Sequence, residues 1–170
     1  MELNVRRATG NDAAQLADIY NGYVAHTNVT FETETVPIEE MRRRVEERLE
    51  KYEWLVGELG QRIVGFAYYG PFRPRAAYFR TVESTIYLAQ DCRGQGFGGR
   101  LYAALMDSAS QKGFREVIGV IALPNPASIA LHAGLGFREA GLLRCVGLKL
   151  GRYHDVALWQ RSLQPAGNQQ

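Results

Sequence analysis

The order in which hydrophobic periodicity changes along this chain predicts an α/β protein of the α+β kind, with helices packed on a mostly antiparallel sheet. Three observations carry the prediction. Two-residue alternation and helical spacing follow one another in the order β-α-α-β-β-β-α-β-α-β-β. Two strand-like runs, 54–59 and 62–69, are separated only by Gly60 and Gln61, which is a hairpin signal. One nearly continuous apolar run, 116–123, suits a strand covered on both faces.

Residues 3–7 alternate apolar and polar, as a half-buried strand does. Asp12 with Gln15 three positions on resembles a capping box, and Leu16, Ile19, Tyr20, Tyr23 and Val24 follow at helical spacing. Pro37 suits a first helical position, with Glu39 and Glu40 in the positive first turn and Ile38, Met41, Val45 and Leu49 as an apolar stripe. After the hairpin, 81–89 reads as a strand, and a glycine-rich turn leads into a helix over 98–112 that stops at Gly113. Asn125 and Pro126 offer an N-cap and a proline at the first helical position, opening a short helix to about Leu135. Strands near 137–143 and 153–161 complete the order.

With 170 residues, 46% of them hydrophobic and 22% charged, one domain over 1–163 is expected, followed by a disordered tail over 164–170. Lys+Arg of 20 against Asp+Glu of 18 leaves +2, too little to wrap nucleic acid. The first residues lack the pattern of a secretory signal, and no apolar run approaches the roughly 18 residues of a membrane span. A cytoplasmic protein without membrane contact is expected. Cys92 and Cys145 lie far apart with no C-x-x-C pair, so neither a disulfide framework nor a structural zinc site is indicated, and no metal is expected.

The sharpest local feature is the run DCRGQGFGGR from Asp91 to Arg100, between an expected strand and an expected helix. Glycines let successive N–H groups converge on an anion, and the helix N-terminus adds its positive dipole end. The competing reading is a flexible connector. Gly94, Gly96 and Gly99 also match the dinucleotide fingerprint, but that pattern needs an acidic residue about 20 positions on at the end of the next strand, and 117–123 ends without one.

Glu83 stands mid-strand with Thr85 and Tyr87 on one face, opposite Val82, Ser84, Ile86 and Leu88. A carboxylate there is costly unless it has a task or a partner, so Glu83 is either a general base or half of an ion pair, with Arg80 nearby. His132, on the short helix, has an unperturbed pKa near 6.5 and so suits proton transfer, although a lone helix histidine is more often structural.

The spacing Arg93-x-x-Gly96-x-Gly98, together with Asn125 to Phe137 (NPASIALHAGLGF), resembles the GNAT superfamily of acetyltransferases. Further segments narrow the resemblance: 70–75 (GPFRPR), Tyr78, 81–87 (TVESTIY), 151–156 (GRYHDV), Trp159 to Arg161, and Tyr20, Asn21, Tyr23 and Phe31. Together they look like the phosphinothricin acetyltransferase family, which includes methionine sulfoximine and sulfone acetyltransferases. The match runs from about Val5 to Leu163. Where the wider superfamily has tyrosine this chain has His132, which is expected in the narrower family.

The resemblance implies the GNAT acyl-CoA N-acyltransferase fold and transfer of acetyl from acetyl-CoA to the amine of a small amino-acid-like acceptor. It implies pyrophosphate on Arg93, Gly94, Gln95, Gly96, Phe97 and Gly98, and pantetheine and acetyl beside Ile86, Tyr87, Leu88, Asn125 and Ser128, where strands 81–89 and 116–123 splay apart. Thr30, Phe31 and Tyr87 are expected as acceptor walls, with Arg73, Arg75 and Tyr78 suited to a carboxylate or phosphinate through paired hydrogen bonds. Glu83 and His132 are the catalytic candidates, transfer is expected to be direct, and a homodimer is implied. Other readings are a peptide N-terminal acetyltransferase, a silent acetyl-CoA-binding module and a dinucleotide oxidoreductase.

Overall fold

The computed structural model describes residues 2–163; the expected tail, 164–170, lies outside the described residues. Strands β1 (Asn4–Arg7), β2 (Glu53–Leu59), β3 (Arg62–Pro71), β4 (Thr81–Leu88), β5 (Glu116–Ala122), β6 (Arg138–Lys149) and β7 (Arg152–Ser162) alternate with helices α1 (Ala13–His26), α2 (Ile38–Leu49), α3 (Phe97–Gln111) and α4 (Pro126–Gly134). They form one sheet in the order β1-β2-β3-β4-β5-β7-β6. Every neighbour pair is antiparallel except β4 with β5, as the sequence predicts for a mostly antiparallel sheet.

Strand alternation sorts the core into two layers. Trp54, Val56, Phe66 and Tyr87 pack with Leu16, Tyr20 and Tyr23 of α1 and Met41 and Val45 of α2. The residues of opposite parity, Ala67, Tyr69, Val82 and Val117, pack with Leu101, Tyr102, Leu105 and Met106 of α3, and Leu131 of α4 joins them. The sheet is thus covered on both faces. The outer side of α2 carries Arg43 and Arg44 paired with Glu40 and Glu47, surface ion pairs that contribute little each.

Three local expectations are corrected. Asp12 does not cap α1 with its side chain; its carboxylate accepts from the Thr9 N–H at 2.7 Å and pairs with Arg6 at 2.8 Å, which holds it below the usual carboxylate range. Gln15 is not a capping partner but bridges to the hairpin, accepting from the Ile63 N–H at 2.8 Å. Pro37 precedes α2 in extended backbone (φ −62°, ψ 152°), so the helix begins at Ile38, which is 48% exposed and drops out of the stripe.

The last hairpin is longer than the sequence predicts. Leu150 and Gly151 join β6 to β7 with φ of 54° and 71°, a two-residue turn in the left-handed region without the usual Asn-Gly signal. A bulge at Cys145 (φ 53°), whose N–H donates to Asp155 at 2.7 Å, lets β6 run on past residue 143.

Candidate active site

The parallel pair β4–β5 is hydrogen-bonded only from Thr81 opposite Glu116 to Ser84 opposite Gly119; beyond that the strands part while β4 continues to Leu88. Two spaces open at the parting. One is a groove of about 620 Å³ running along Tyr23, Leu88, Arg93, Gly94, Gly96 and Gly98 to Ser128. The other is a cavity of about 190 Å³ that contains Glu83 and His132 and is walled by Thr30, Phe31, Thr85 and Tyr87. Val29, Ile86, Asn125 and Ser128 line both, so the groove opens into the cavity.

The floor of the groove follows from strand parity. The Leu88 C=O accepts from the Tyr23 hydroxyl at 2.6 Å, so Leu88 turns its backbone away from β3, while the next residue, Ala89, donates its N–H to Val64 of β3 at 2.9 Å. Ile86, two residues before Leu88, therefore points its N–H and C=O toward the parting. This narrows the expectation for 86–88. Ile86 offers its backbone, Leu88 has its carbonyl occupied by Tyr23, and Tyr87 directs its backbone into the β3 ladder and contributes its ring, held edge-on by Tyr20 and Tyr23 at 5.0 Å each.

At the other end of the groove, Gly94 (φ 73°) and Gly96 (φ 79°) adopt left-handed backbone with no atom within 4 Å of the place a Cβ would occupy. Gly96 is the N-cap of α3 and supplies no side-chain cap, and the first helical bond comes from the Arg100 N–H. The N–H groups of Phe97, Gly98 and Gly99 thus lack helical acceptors, an arrangement that binds anions. Arg93 lies 5.1 Å above the Tyr23 ring on the groove wall. Gln95 instead donates to the Asp91 carbonyl at 3.1 Å, and Phe97 packs toward Leu3 and Val64, so neither side chain lines the groove.

Glu83 is half-buried in the cavity wall and, among the described residues, has no hydrogen-bond or ion-pair partner; the rival pairing with Arg80 is not formed, and Arg80 lies over Phe79 instead. Burial raises the Glu83 pKa above its ordinary value, partly offset by the charge of Arg48. Such a carboxylate is a better proton acceptor than an exposed one.

His132 has both ring nitrogens engaged. Nδ1 lies 2.7 Å from the Ser128 C=O, which only accepts, so Nδ1 carries the proton. Nε2 then accepts from the Tyr102 hydroxyl at 3.0 Å, and Tyr102 in turn accepts from Ser84 Oγ at 2.6 Å. The ring is 4% exposed, burial lowers its pKa, and it sits where a Cβ on Gly119 would come within 2.5 Å of Nε2. Tyr102 is the residue sequence reading missed: its helical position marks it only as core, and its hydroxyl is visible only once α3 meets α4.

Asn125 caps α4, accepting from the Ser128 N–H at 3.1 Å, and also lines both spaces, so its capping and ligand-facing roles coexist. Thr30 is fixed by the Tyr20 hydroxyl at 2.7 Å and by Lys149 Nζ on its carbonyl at 2.7 Å. Phe31 fills space made by Gly147, where a Cβ would come within 2.2 Å of its ring. Arg73, Arg75 and Tyr78 do not join the wall of the cavity. They occupy the loop between β3 and β4, with Arg73 4.9 Å from the Phe72 ring centre.

Comparison with known proteins decides what this arrangement is. Residues 5–158 match the family described as the acetyltransferase (GNAT) domain. The chain belongs to the GNAT acetyltransferase family. Membership makes it an N-acetyltransferase. It is 40% identical over 162 residues to a phosphinothricin N-acetyltransferase of Streptomyces viridochromogenes, covering 95% of this chain and 88% of that one. It is 32% identical over 167 residues to the L-methionine sulfoximine/L-methionine sulfone acetyltransferase of Pseudomonas aeruginosa, covering 97% of each. Among solved structures, a GNAT superfamily phosphinothricin acetyltransferase from Sinorhizobium meliloti in complex with acetyl-CoA superposes with a TM-score of 0.91 at 35% identity, covering 95% of this chain and 89% of that one.

Proposed function

We propose that this chain transfers the acetyl group of acetyl-CoA directly to the amine of a small amino-acid-like acceptor of the phosphinothricin, methionine sulfoximine or methionine sulfone type. The observation that carries the reading is the continuity between two unlike spaces. An elongated groove ending on uncapped helix N–H groups suits a pyrophosphate on a long arm, and it opens into a small chamber with a half-buried carboxylate.

In this reading Glu83 takes one proton from the ammonium, exposing the lone pair that attacks the thioester carbonyl; collapse of the tetrahedral adduct breaks the C–S bond, and the departing CoA thiolate takes up the second proton lost from nitrogen. The Ile86 N–H, left without a β5 partner, donates to the carbonyl oxygen as charge develops there. His132 positions the site rather than transferring a proton, because its two nitrogens already serve Ser128 and Tyr102. Arg73 and Arg75 are assigned to the acceptor's acidic group from their charge and from their loop, which starts beside the cross-strand partners of Val82 and Glu83. Thr30, Phe31 and Tyr87 shape the acceptor end.

We assign the dimer contact to β6, the sheet edge, where Leu142, Leu143, Val146 and Leu148 are exposed together with Leu150 and Tyr153. The deciding experiment for the activity is thiol release from acetyl-CoA against free amino acids, their sulfone, sulfoximine and phosphinate analogues, and short peptides. Turnover with the small analogues is expected, and turnover confined to peptides would overturn the reading.

A further inference from the structure

A second cavity, of about 180 Å³, lies between α1, α2 and the sheet, walled by Tyr20, Met41, Arg44, Arg48, Trp54 and Tyr68. It shares no wall residue with the groove or with the chamber that holds Glu83. Its size admits a small organic molecule rather than one water. Aromatic rings make most of the lining: Trp54 stacks on Tyr68 at 4.2 Å, and Tyr20 belongs to the same lining.

One polar group of this wall is left without a hydrogen-bond partner. The Arg48 guanidinium lies 5.1 Å over the Tyr68 ring and, among the described residues, makes no hydrogen bond or ion pair. It is pressed against Gly70, where a Cβ would fall 1.5 Å from its Nη1, so bare backbone is what leaves room for it. Arg44 differs, being bound to Glu32 at 2.7 Å and Glu40 at 2.9 Å, so its charge is already offset.

A cation without a hydrogen bond and an aromatic lining describe a site for a monoanion with an apolar body. We propose that this cavity binds a small aromatic or aliphatic carboxylate, its oxygens on the Arg48 guanidinium and its body between Tyr20, Trp54 and Tyr68. A doubly charged phosphate would find a single cation without a hydrogen bond, and a neutral ligand would leave that cation with only the field of Glu83.

The test uses the full chain carrying Trp159→Phe, so that Trp54 is the sole indole reporter. Sodium benzoate should change Trp54 fluorescence saturably, and calorimetry on the parent protein should show the same affinity. Benzamide, its neutral isostere, should bind at least about tenfold more weakly, the scale of a charge-assisted hydrogen bond. Arg48→Gln should weaken benzoate by a similar factor while leaving the melting curve and acetyl-CoA binding intact, and Arg48→Lys should fall between. The benzamide comparison needs no variant at Arg48 and stands even if Arg48→Gln misfolds. Absence of saturable binding, or equal binding of benzamide and benzoate, would overturn the proposal. So would competitive displacement of benzoate by phosphinothricin, which would make the cavity an arm of the acceptor site; failure of phosphinothricin to bind at all would count against the proposed activity and leave the carboxylate site standing.

Discussion

Glu83→Gln separates catalysis from stability in opposite directions. The side chain has no partner among the described residues, so the substitution removes no hydrogen bond or ion pair, and a fall in rate reports proton transfer. Loss of a general base lowers turnover by roughly 100- to 10,000-fold, about 2.7–5.4 kcal/mol of activation free energy. Burial raises the folded-state pKa of Glu83. A carboxyl with a folded pKa above its unfolded value binds its proton more tightly when folded. Native stability is therefore lost as pH rises from the unfolded pKa, about 4.3, through the higher folded value. Glutamine carries no such penalty. The melting temperature of Glu83→Gln relative to the parent should rise with pH across that window and hold its advantage at neutrality. Thiol-release kinetics and melting curves over the same pH series measure both effects. Parent-like turnover would refute the assignment of the base, and a melting difference that shrinks as pH rises would refute the burial argument.

Gly96→Val puts a β-branched residue at φ 79°, and with no atom within 4 Å of the added Cβ the effect should come from the backbone: acetyl-CoA affinity falls by calorimetry while the fold persists. Tyr102→Phe leaves His132 Nε2 and Ser84 without their shared partner, a loss of about 1–3 kcal/mol, or roughly 2–12 °C in melting temperature for a chain of this length. Thermal unfolding checks it, and an unchanged midpoint would show that water replaces the hydroxyl. Arg75→Ala should raise the KM of the acceptor much more than that of acetyl-CoA; equal rises would make the loop structural. Leu148→Glu, on the exposed sheet edge, should shift sedimentation toward monomer without lowering the melting temperature of the isolated chain.

The element order was legible because each segment keeps one period: Leu16, Tyr20 and Tyr23 could only share a helix face, and Val82 and Glu83 could only point apart. Gly96 was legible for a different reason, since a glycine before a helix with no capping side chain leaves N–H groups open whatever the tertiary context. Caps read by spacing alone were less secure. Asp12 and Gln15 have the right separation, but Asp12 is taken by Thr9 and Arg6 on its N-terminal side and Gln15 by the Ile63 N–H, distant in sequence. The state of His132 was out of reach for the same reason: its tautomer is set by Ser128, four residues away, and by Tyr102, thirty residues away on another helix. The reach of β6 was hidden by a Leu-Gly turn in a conformation that leucine seldom adopts.

The parting of β4 from β5 makes the sheet an unfinished object. Past Ser84 and Gly119 one strand runs on beside a gap, and whatever enters that gap becomes a structural member as well as a reactant. A ligand bound only by the folded form stabilises it by RT ln(1 + [L]/Kd), about 2.7 kcal/mol at a hundredfold excess over Kd. The two halves of the sheet would then be coupled least firmly when every ligand of that gap is scarce. On the proposed placement of the pantetheine arm in the gap, amide exchange at Ile86 should slow with acetyl-CoA and equally with CoA, because the arm is common to substrate and product. The lifetime of this enzyme in a starving cell would accordingly track its supply of CoA in all forms, independent of how much work there is for it to do.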